Sequence, residues 1–133
     1  MTLTPEARFA IQDLYARYNH AIDFGDVAGW VACFTPDGFF SAGTVTFVGS
    51  KELLGFATDY NSRTQARHWT NNLILEETPD GAKGICYLMY LRPGGVEGGP
   101  GVVFTGIYRD ELTKGKDGWK FSKRSATLER SMP

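Results

Sequence analysis

Helical periodicity is confined to the first half of this chain, and that order of elements is what most restricts its fold. Thr4 and Pro5 are typical of a helix start, and apolar residues then recur at helical spacing as far as Phe24. From about residue 67 onward no helical period returns. Four strand-like segments follow instead, separated by short connections rich in Gly, Pro or Asp: residues 67–77, 82–91, 102–112 and 119–128. Connections this short favour an antiparallel meander.

Two further helices and a hairpin are predicted between these regions. Asp26 and Ser50 are in position to cap one helix each, and residues 36–38, Pro-Asp-Gly, predict a turn after the first of them. Residues 39–48 are rich in Phe, Val and Thr, which indicates a strand that is bent or paired as a hairpin around residues 42–43.

Helices at the front and strands at the back indicate an α+β fold, in which the helices must cover one face of the sheet. We predict a cone-shaped, curved antiparallel sheet that wraps around the N-terminal helices and encloses a pocket. A length of 133 residues suits one domain with a single core, so residues 1–133 are predicted to form one domain.

The charge and the apolar pattern exclude two classes of partner. Fourteen Lys and Arg against fifteen Asp and Glu give a net charge of −1, which is too balanced for a broad phosphate-binding surface. No segment reaches the roughly 20 apolar residues that cross a bilayer, and the N-terminus does not resemble a signal peptide. We therefore expect no nucleic-acid partner, no membrane segment and a cytoplasmic location.

The cysteines and glycines carry no recognisable cofactor motif. Cys33 and Cys86 lie in apolar segments and are predicted to be buried, reduced thiols. Neither they nor His20 and His68 have the short spacings of a zinc site. The Gly-rich residues 93–101 lie between two strands and lack a phosphate-binding signature, so we expect a hairpin loop, no metal and no cofactor.

His68 begins a strand whose polar start and apolar end suit a path from a wet cavity mouth into a core. Period-two geometry places His68, Thr70, Asn72 and Ile74 on one face of that strand. Histidine is the side chain whose ordinary pKa lies nearest neutrality, which makes it a candidate acid or base. The alternative is an ordinary hydrogen-bonded strand histidine.

Asp23 lies at the end of the first predicted helix. A carboxylate there is disfavoured by the helix dipole, so it gains by holding an imidazolium or another donor. Asp23 is off the apolar stripe of that helix, and it faces a cavity only if the helix bends or ends there. The alternative is a solvated residue at a helix end.

Nine Phe, six Tyr and three Trp exceed what a core of this size requires, so some of them are predicted to line a pocket for a flat or alicyclic ligand. Ordinary core packing is the alternative for each one. The expected substrate contacts are Phe40, Phe56, Trp69, Asn71, Tyr87 and Phe104, with Phe39 and Tyr90 as further candidates.

Short segments spread over nearly the whole chain form a recognisable set. They are residues 11–15, Tyr18, residues 21–23, residues 30–38, His68, residues 71–76, residues 105–111 and residues 117–123. Together they resemble SnoaL-like proteins of the nuclear transport factor 2-like superfamily. The resemblance is closest to the branch with scytalone dehydratase, lindane dehydrochlorinase and bile acid 7α-dehydratase. It implies one SnoaL-like domain, with a pocket behind the N-terminal helices.

The resemblance also implies residue roles. In that branch an Asp at the end of the first helix holds a His on a facing strand, and these positions match Asp23 and His68. A Tyr five residues before the Asp, used by the bile acid enzyme, matches Tyr18; the dehydrochlorinase has a Lys there, so halide elimination is less favoured. A late basic residue of the dehydrochlorinase matches Arg124, although strand alternation places Arg124 opposite Phe121.

These observations lead to one functional hypothesis and two alternatives. The hypothesis is a cofactor-independent, dehydratase-like lyase or isomerase acting on a small hydrophobic cyclic molecule that bears a carbonyl. His68 is the base and then the acid, Asp23 orients it, Tyr18 donates a hydrogen bond, and Arg124 assists electrostatically.

One alternative is a non-catalytic small-ligand-binding or assembly module on the same fold. The other is a proton shuttle in which Asp23 itself is the base. Relatives form dimers or trimers, so the resemblance also predicts a homodimer or homotrimer, through one sheet face and the Gly-rich loop.

Overall fold

The fold is a curved, open sheet with helices packed against it, in a computed structural model that describes residues 3–95, 97 and 101–129. In these residues the helices are α1 (Pro5–Asp23), α2 (Val27–Val31) and α3 (Ser50–Arg63). The strands are β1 (Phe34–Ala42), β2 (Val45–Val48), β3 (Arg67–Thr78), β4 (Gly81–Leu91), β5 (Val102–Gly115) and β6 (Gly118–Glu129). They form one sheet in the order β2-β1-β6-β5-β4-β3. None of the helices in the described ranges is long and apolar enough to span a bilayer.

The helix boundaries follow local capping chemistry. The Thr4 hydroxyl accepts the N–H of Ala7 at 3.1 Å, and the Asp26 carboxylate likewise accepts a backbone N–H of α2 at 2.9 Å. Both predicted caps are therefore confirmed. The predicted Ser50 cap is wrong, because Gly49, at φ 87°, takes the capping position and Ser50 is the first residue of α3.

The predicted antiparallel meander is confirmed for β3 to β6, but the sheet is not antiparallel throughout, since β1 pairs with β6 in parallel. The predicted turn at residues 36–38 is wrong, because these residues bulge from within β1. Phe34 pairs with Phe121 and Phe39 with Lys123, so β1 carries extra residues between the two pairs. A bulge is a position where a strand tolerates Pro and Gly.

A bulge in β3 interrupts the predicted alternation. From Asn71 to Ile74 the chain advances three residues while β4 advances two, and Asn72 adopts φ 57°. Asn tolerates that left-handed conformation better than most residues. The prediction that Ile74 shares a face with His68 is therefore wrong, and Ile74 is 65% exposed.

A second bulge places Arg124 in the core. Glu111 pairs with Lys123 and Leu112 with Phe121, so Ser122 is an extra residue in β6. The slip of one residue reverses the alternation beyond that point. The prediction that Arg124 lies opposite Phe121 is therefore wrong, because both side chains are fully buried.

The buried guanidinium is held by one carboxylate and several aromatic rings. Arg124 Nε lies 3.1 Å from Asp110 Oδ1, and the Tyr15 hydroxyl donates to Asp110 Oδ2 at 2.5 Å. The guanidinium carbon lies 3.5 Å from the ring centre of Tyr108 and 4.3 Å from that of Tyr18. Burial raises the pKa of Asp110, and Arg124 and Tyr15 oppose that rise. This network ties α1 to β5 and β6.

Removal of the buried cation is expected to destabilise the fold strongly. Arg124→Met leaves the buried Asp110 carboxyl without its cation, so the free energy of unfolding should fall by about 3–5 kcal/mol. Lys123→Met is the matched control, since Lys123 is 48% exposed and its change should be within about 1 kcal/mol. Urea denaturation measures both. Equal losses in the two variants contradict the buried-network account.

Candidate active site

Two side-chain contacts join α1 to β3 at matched intervals. Asn19 Nδ2 donates to Thr70 Oγ1 at 3.1 Å. Four residues further along α1, Asp23 meets His68, which lies two residues earlier in β3. Four helical residues rise about 6 Å and two strand residues about 6.6 Å, so the two spacings match. The regular geometry of both elements therefore brings Asp23 to His68.

Asp23 accepts two hydrogen bonds from the same residue. His68 Nδ1 lies 2.6 Å from Asp23 Oδ1, and the backbone N–H of His68 donates to Asp23 Oδ2 at 3.0 Å. The Asp23 and His68 side chains are only 6% and 9% exposed. The two donors offset the unfavourable helix dipole at this last residue of α1. With Nδ1 on the carboxylate, Nε2 has no hydrogen-bond partner among the described residues.

A groove of about 630 Å³ opens between α1 and β3 beside this pair. Asp23 and His68 lie at one end of its wall. The rest of the wall is mixed in polarity and includes Gln12, Ala16, Asn19, Trp69, Asn71 and Leu73. The Asn19 Oδ1 atom is buried without a hydrogen bond in the described structure. The dyad is thus accessible at the end of a groove that offers polar as well as apolar contacts.

On the inner face of the sheet, aromatic rings surround the imidazole. His68, Tyr90 and Phe104 face one another in register on β3, β4 and β5. The His68 and Tyr90 rings meet edge to face at 5.1 Å, and Tyr90 stacks on Phe104 at 4.6 Å. Tyr60, from α3, lies 6.3 Å from the imidazole, and its hydroxyl is 2.7 Å from that of Tyr90. All four residues are partly buried, so they border accessible space.

Two of the expected substrate contacts lie on this aromatic wall. Phe56 is partly buried, 5.9 Å from the Tyr60 ring, and Phe104 stacks on Tyr90. Phe40 is 4% exposed and packs behind Phe56 at 5.3 Å. The structure therefore places Phe56 and Phe104 near His68 and gives Phe40 a supporting position.

The other expected contacts lie elsewhere. Trp69 and Tyr87 are 64% and 53% exposed, and their chain neighbours His68 and Cys86 point to the opposite face of the sheet. Asn71 is exposed as well, where β3 bulges. Trp69 and Asn71 border the groove between α1 and β3, but the structure does not bring Trp69 or Tyr87 to the aromatic wall.

Tyr18 and Arg124 pack against each other in the core. Tyr18 is 2% exposed and contacts the rings of Trp30 and Phe34 as well as Arg124. Burial raises the pKa of Tyr18 to about 12. Among the described contacts neither Tyr18 nor Arg124 touches Asp23 or His68. Their predicted catalytic roles stay predictions.

In the described part of the chain, neither the cysteines nor any group of metal-binding side chains forms a second candidate active site. Cys33 and Cys86 are buried and free, and burial raises the pKa of each to about 11, which keeps them protonated near neutrality. Within residues 3–95, 97 and 101–129, no three His, Cys, Asp or Glu side chains are grouped to hold a metal ion.

Sequence reasoning missed the hydroxyl pair of Tyr60 and Tyr90. Tyr60 follows Phe56 by four residues, which places both on one face of a helix. That spacing predicts a shared face, but only the packing of α3 on the sheet shows that the face meets Tyr90.

These elements define a class of protein: a small α+β domain whose first helix ends on an acid that holds a histidine of the edge strand. A profile of the SnoaL-like domain matches residues 4–125, so the chain belongs to the SnoaL-like family. No functionally curated protein matches the chain significantly.

Solved structures agree with this assignment. A Mycobacterium tuberculosis protein of unknown function is 29% identical, with a TM-score of 0.84 over 92% of this chain and 72% of that one. LinA is 28% identical, with a TM-score of 0.79 over 94% of this chain and 87% of its own. ActVI-ORFA from Streptomyces coelicolor is 23% identical, and its alignment covers 92% of this chain and 97% of the ActVI-ORFA chain with a TM-score of 0.75. At that identity the comparison shows the shared fold alone.

Proposed function

We propose that the chain is a cofactor-independent, dehydratase-like lyase or isomerase, nearest to the scytalone dehydratase, lindane dehydrochlorinase and bile acid 7α-dehydratase branch. Its substrate is a small hydrophobic cyclic molecule with a carbonyl group. The observation that carries the proposal is the 2.6 Å contact of His68 Nδ1 with Asp23, because it leaves Nε2 free to accept a proton beside an aromatic wall.

In this mechanism His68 Nε2 takes a proton from the carbon next to the carbonyl. The electron pair of the broken C–H bond moves onto the carbonyl oxygen and forms an enolate. Asp23 stabilises the imidazolium through Nδ1–H. In an elimination the enolate re-forms the carbonyl, a C=C bond forms as the C–O bond at the next carbon breaks, and the imidazolium protonates the departing hydroxyl, which leaves as water. In an isomerisation the enolate instead takes the proton back from the imidazolium at another carbon.

The geometry favours His68 over Asp23 as the base. Each oxygen of Asp23 already accepts an N–H of His68, and its side chain is 6% exposed. Because both oxygens of this carboxylate are already hydrogen-bonded and the side chain is buried, its role is to orient His68 and not to contact the substrate. Tyr18, as a donor to the developing enolate or to the leaving oxygen, and Arg124, as the cation beneath its ring, belong to the proposal in supporting roles.

Proton exchange tests the proposed reaction without knowledge of the natural substrate. We expect the protein to speed deuterium incorporation next to the carbonyl of fused-ring ketones such as 2-tetralone in D₂O, followed by proton NMR. His68→Ala should lower that rate by about 10²-fold or more, because a positioned base contributes about that factor. Asp23→Asn should lower it less, since the imidazole remains.

His20→Ala is the matched control, because His20 is the other histidine and is exposed on α1. It borders the same groove, but its ring contact is with Phe24 and no described contact joins it to Asp23 or His68. This variant should exchange at the wild-type rate with an unchanged melting temperature. If ketones bind but wild type and His68→Ala give equal rates of deuterium exchange, the result contradicts the proposed enzymatic activity. It supports a ligand-binding module instead. A larger loss in Asp23→Asn than in His68→Gln assigns the base to Asp23.

We also propose that the chain forms a homodimer or homotrimer through the outer face of the sheet and the Gly-rich residues 93–101, some of which lie outside the described residues. Trp69, Ile74 and Tyr87 are each more than half exposed on β3 and β4. Large apolar side chains grouped in this way are typical of an interaction surface.

Sedimentation velocity tests this surface. Ile74→Glu should shift the wild-type oligomer toward monomer, because a charge is costly in an apolar interface. Val48→Glu, at a 48% exposed position on β2, should leave the oligomer unchanged. A monomeric wild-type chain at micromolar concentration contradicts the proposal.

A further inference from the structure

We propose that the paired hydroxyls of Tyr60 and Tyr90 hold the carbonyl oxygen of the substrate, which makes that substrate a ring ketone. The inference rests on the function proposed above and specifies which group of the ligand the site recognises. From the sequence, Tyr90 was expected only as a candidate pocket-lining residue, and Tyr60 was not among the candidates.

The hydroxyl pair has one proton to spare. The two oxygens are 2.7 Å apart, so one hydroxyl donates to the other in a single hydrogen bond. The second hydroxyl proton has no acceptor among the described residues. Because both side chains are partly exposed, a ligand oxygen is able to accept this proton.

The pair is placed at the correct range from the base. Its rings lie 5.1 Å and 6.3 Å from the imidazole, measured between centres. A base must approach the carbon that loses its proton to about 3–3.5 Å, and in a ketone the oxygen is two bonds from that carbon. Ring centres at these separations are compatible with one ketone that presents this carbon to the imidazole and its oxygen to the hydroxyl pair.

Each tyrosine is held in place by a neighbouring ring. Tyr90 stacks on Phe104 with an angle of 8° between the planes, and Tyr60 packs against Phe56 at 5.9 Å. A donor that is fixed before the reaction stabilises a developing enolate without reorganisation. Phe56 and Phe104 therefore hold the two tyrosines in place, in addition to lining the space beside His68.

Tyr60 is neutral at physiological pH. Burial, and then the hydrogen bond with Tyr90, raise the pKa of Tyr60 above its ordinary value, so its hydroxyl keeps its proton. A hydroxyl pair with one proton that has no acceptor among the described residues discriminates a ring ketone from a hydrocarbon ring of the same shape.

Equilibrium binding of two matched probes tests this site without any turnover. The probes are 2-tetralone and tetralin, which share a bicyclic ring system and differ at the carbonyl, and calorimetry measures both affinities. Tyr60→Phe/Tyr90→Phe should weaken 2-tetralone by about tenfold relative to tetralin, as expected for one lost hydrogen bond. The Phe rings preserve the packing, so the affinity for tetralin should change by less than about twofold.

The single variants keep the test decisive if the double variant does not fold. One of the two single variants, Tyr60→Phe or Tyr90→Phe, removes the hydroxyl that donates to the ligand. That variant should bind 2-tetralone no more tightly, relative to tetralin, than the double variant would. Equal changes for both probes in every variant overturn the proposal, as does a wild-type protein that binds neither probe.

The outcome is separable from that of the proposed reaction. A ketone preference that depends on the tyrosines, found in a protein without proton exchange, supports the oxygen site and removes the catalytic function. Proton exchange that depends on His68, found with no such preference, retains the function and overturns the oxygen site.

Discussion

The carboxylate of Asp23 receives both N–H groups that His68 offers it, and the rest of the site depends on this double hydrogen bond. It joins the last residue of α1 to the start of the edge strand β3. Without His68, a carboxylate that is 6% exposed would face the negative end of the helix dipole with no donor. Without Asp23, nothing described would fix the tautomer or the orientation of the imidazole.

The aromatic residues around His68 are arranged about an imidazole whose position is fixed. The row of His68, Tyr90 and Phe104 crosses β3, β4 and β5, and α3 brings Tyr60 to the same place. A histidine held by a carboxylate, a pair of tyrosine hydroxyls and several aromatic rings thus lie close together on three strands and two helices. The proposed proton transfer draws on this combination. The thiols of Cys33 and Cys86 are poor nucleophiles by contrast, because both are buried with a raised pKa.

Local chemistry made much of the fold predictable. The caps at Thr4 and Asp26 and the antiparallel meander follow from short-range preferences that the structure retains. Asp23 and His68 are each unremarkable in the sequence. The resemblance indicated their pairing, and the end of the helix at Asp23 explains how a residue off the apolar stripe reaches β3.

The remaining features depend on strand pairing, which alternation alone does not specify. One extra residue in β3 at Asn72 and one in β6 at Ser122 turn the following side chains to the other face, so Ile74 is exposed and Arg124 is buried. The contact of Tyr60 with Tyr90 joins residues 30 apart and depends on how α3 lies on the sheet. No local pattern encodes that packing.

The most direct test of the central claim is the tautomer of His68, measured by nitrogen-15 NMR at a pH where the imidazole is neutral. We predict that the proton resides on Nδ1 in the wild-type protein and moves to Nε2 in Asp23→Ala, since Nε2–H is the tautomer that a free histidine side chain prefers in water. A wild-type imidazole protonated at Nε2 contradicts the account, because the base would then have no lone pair to offer the substrate.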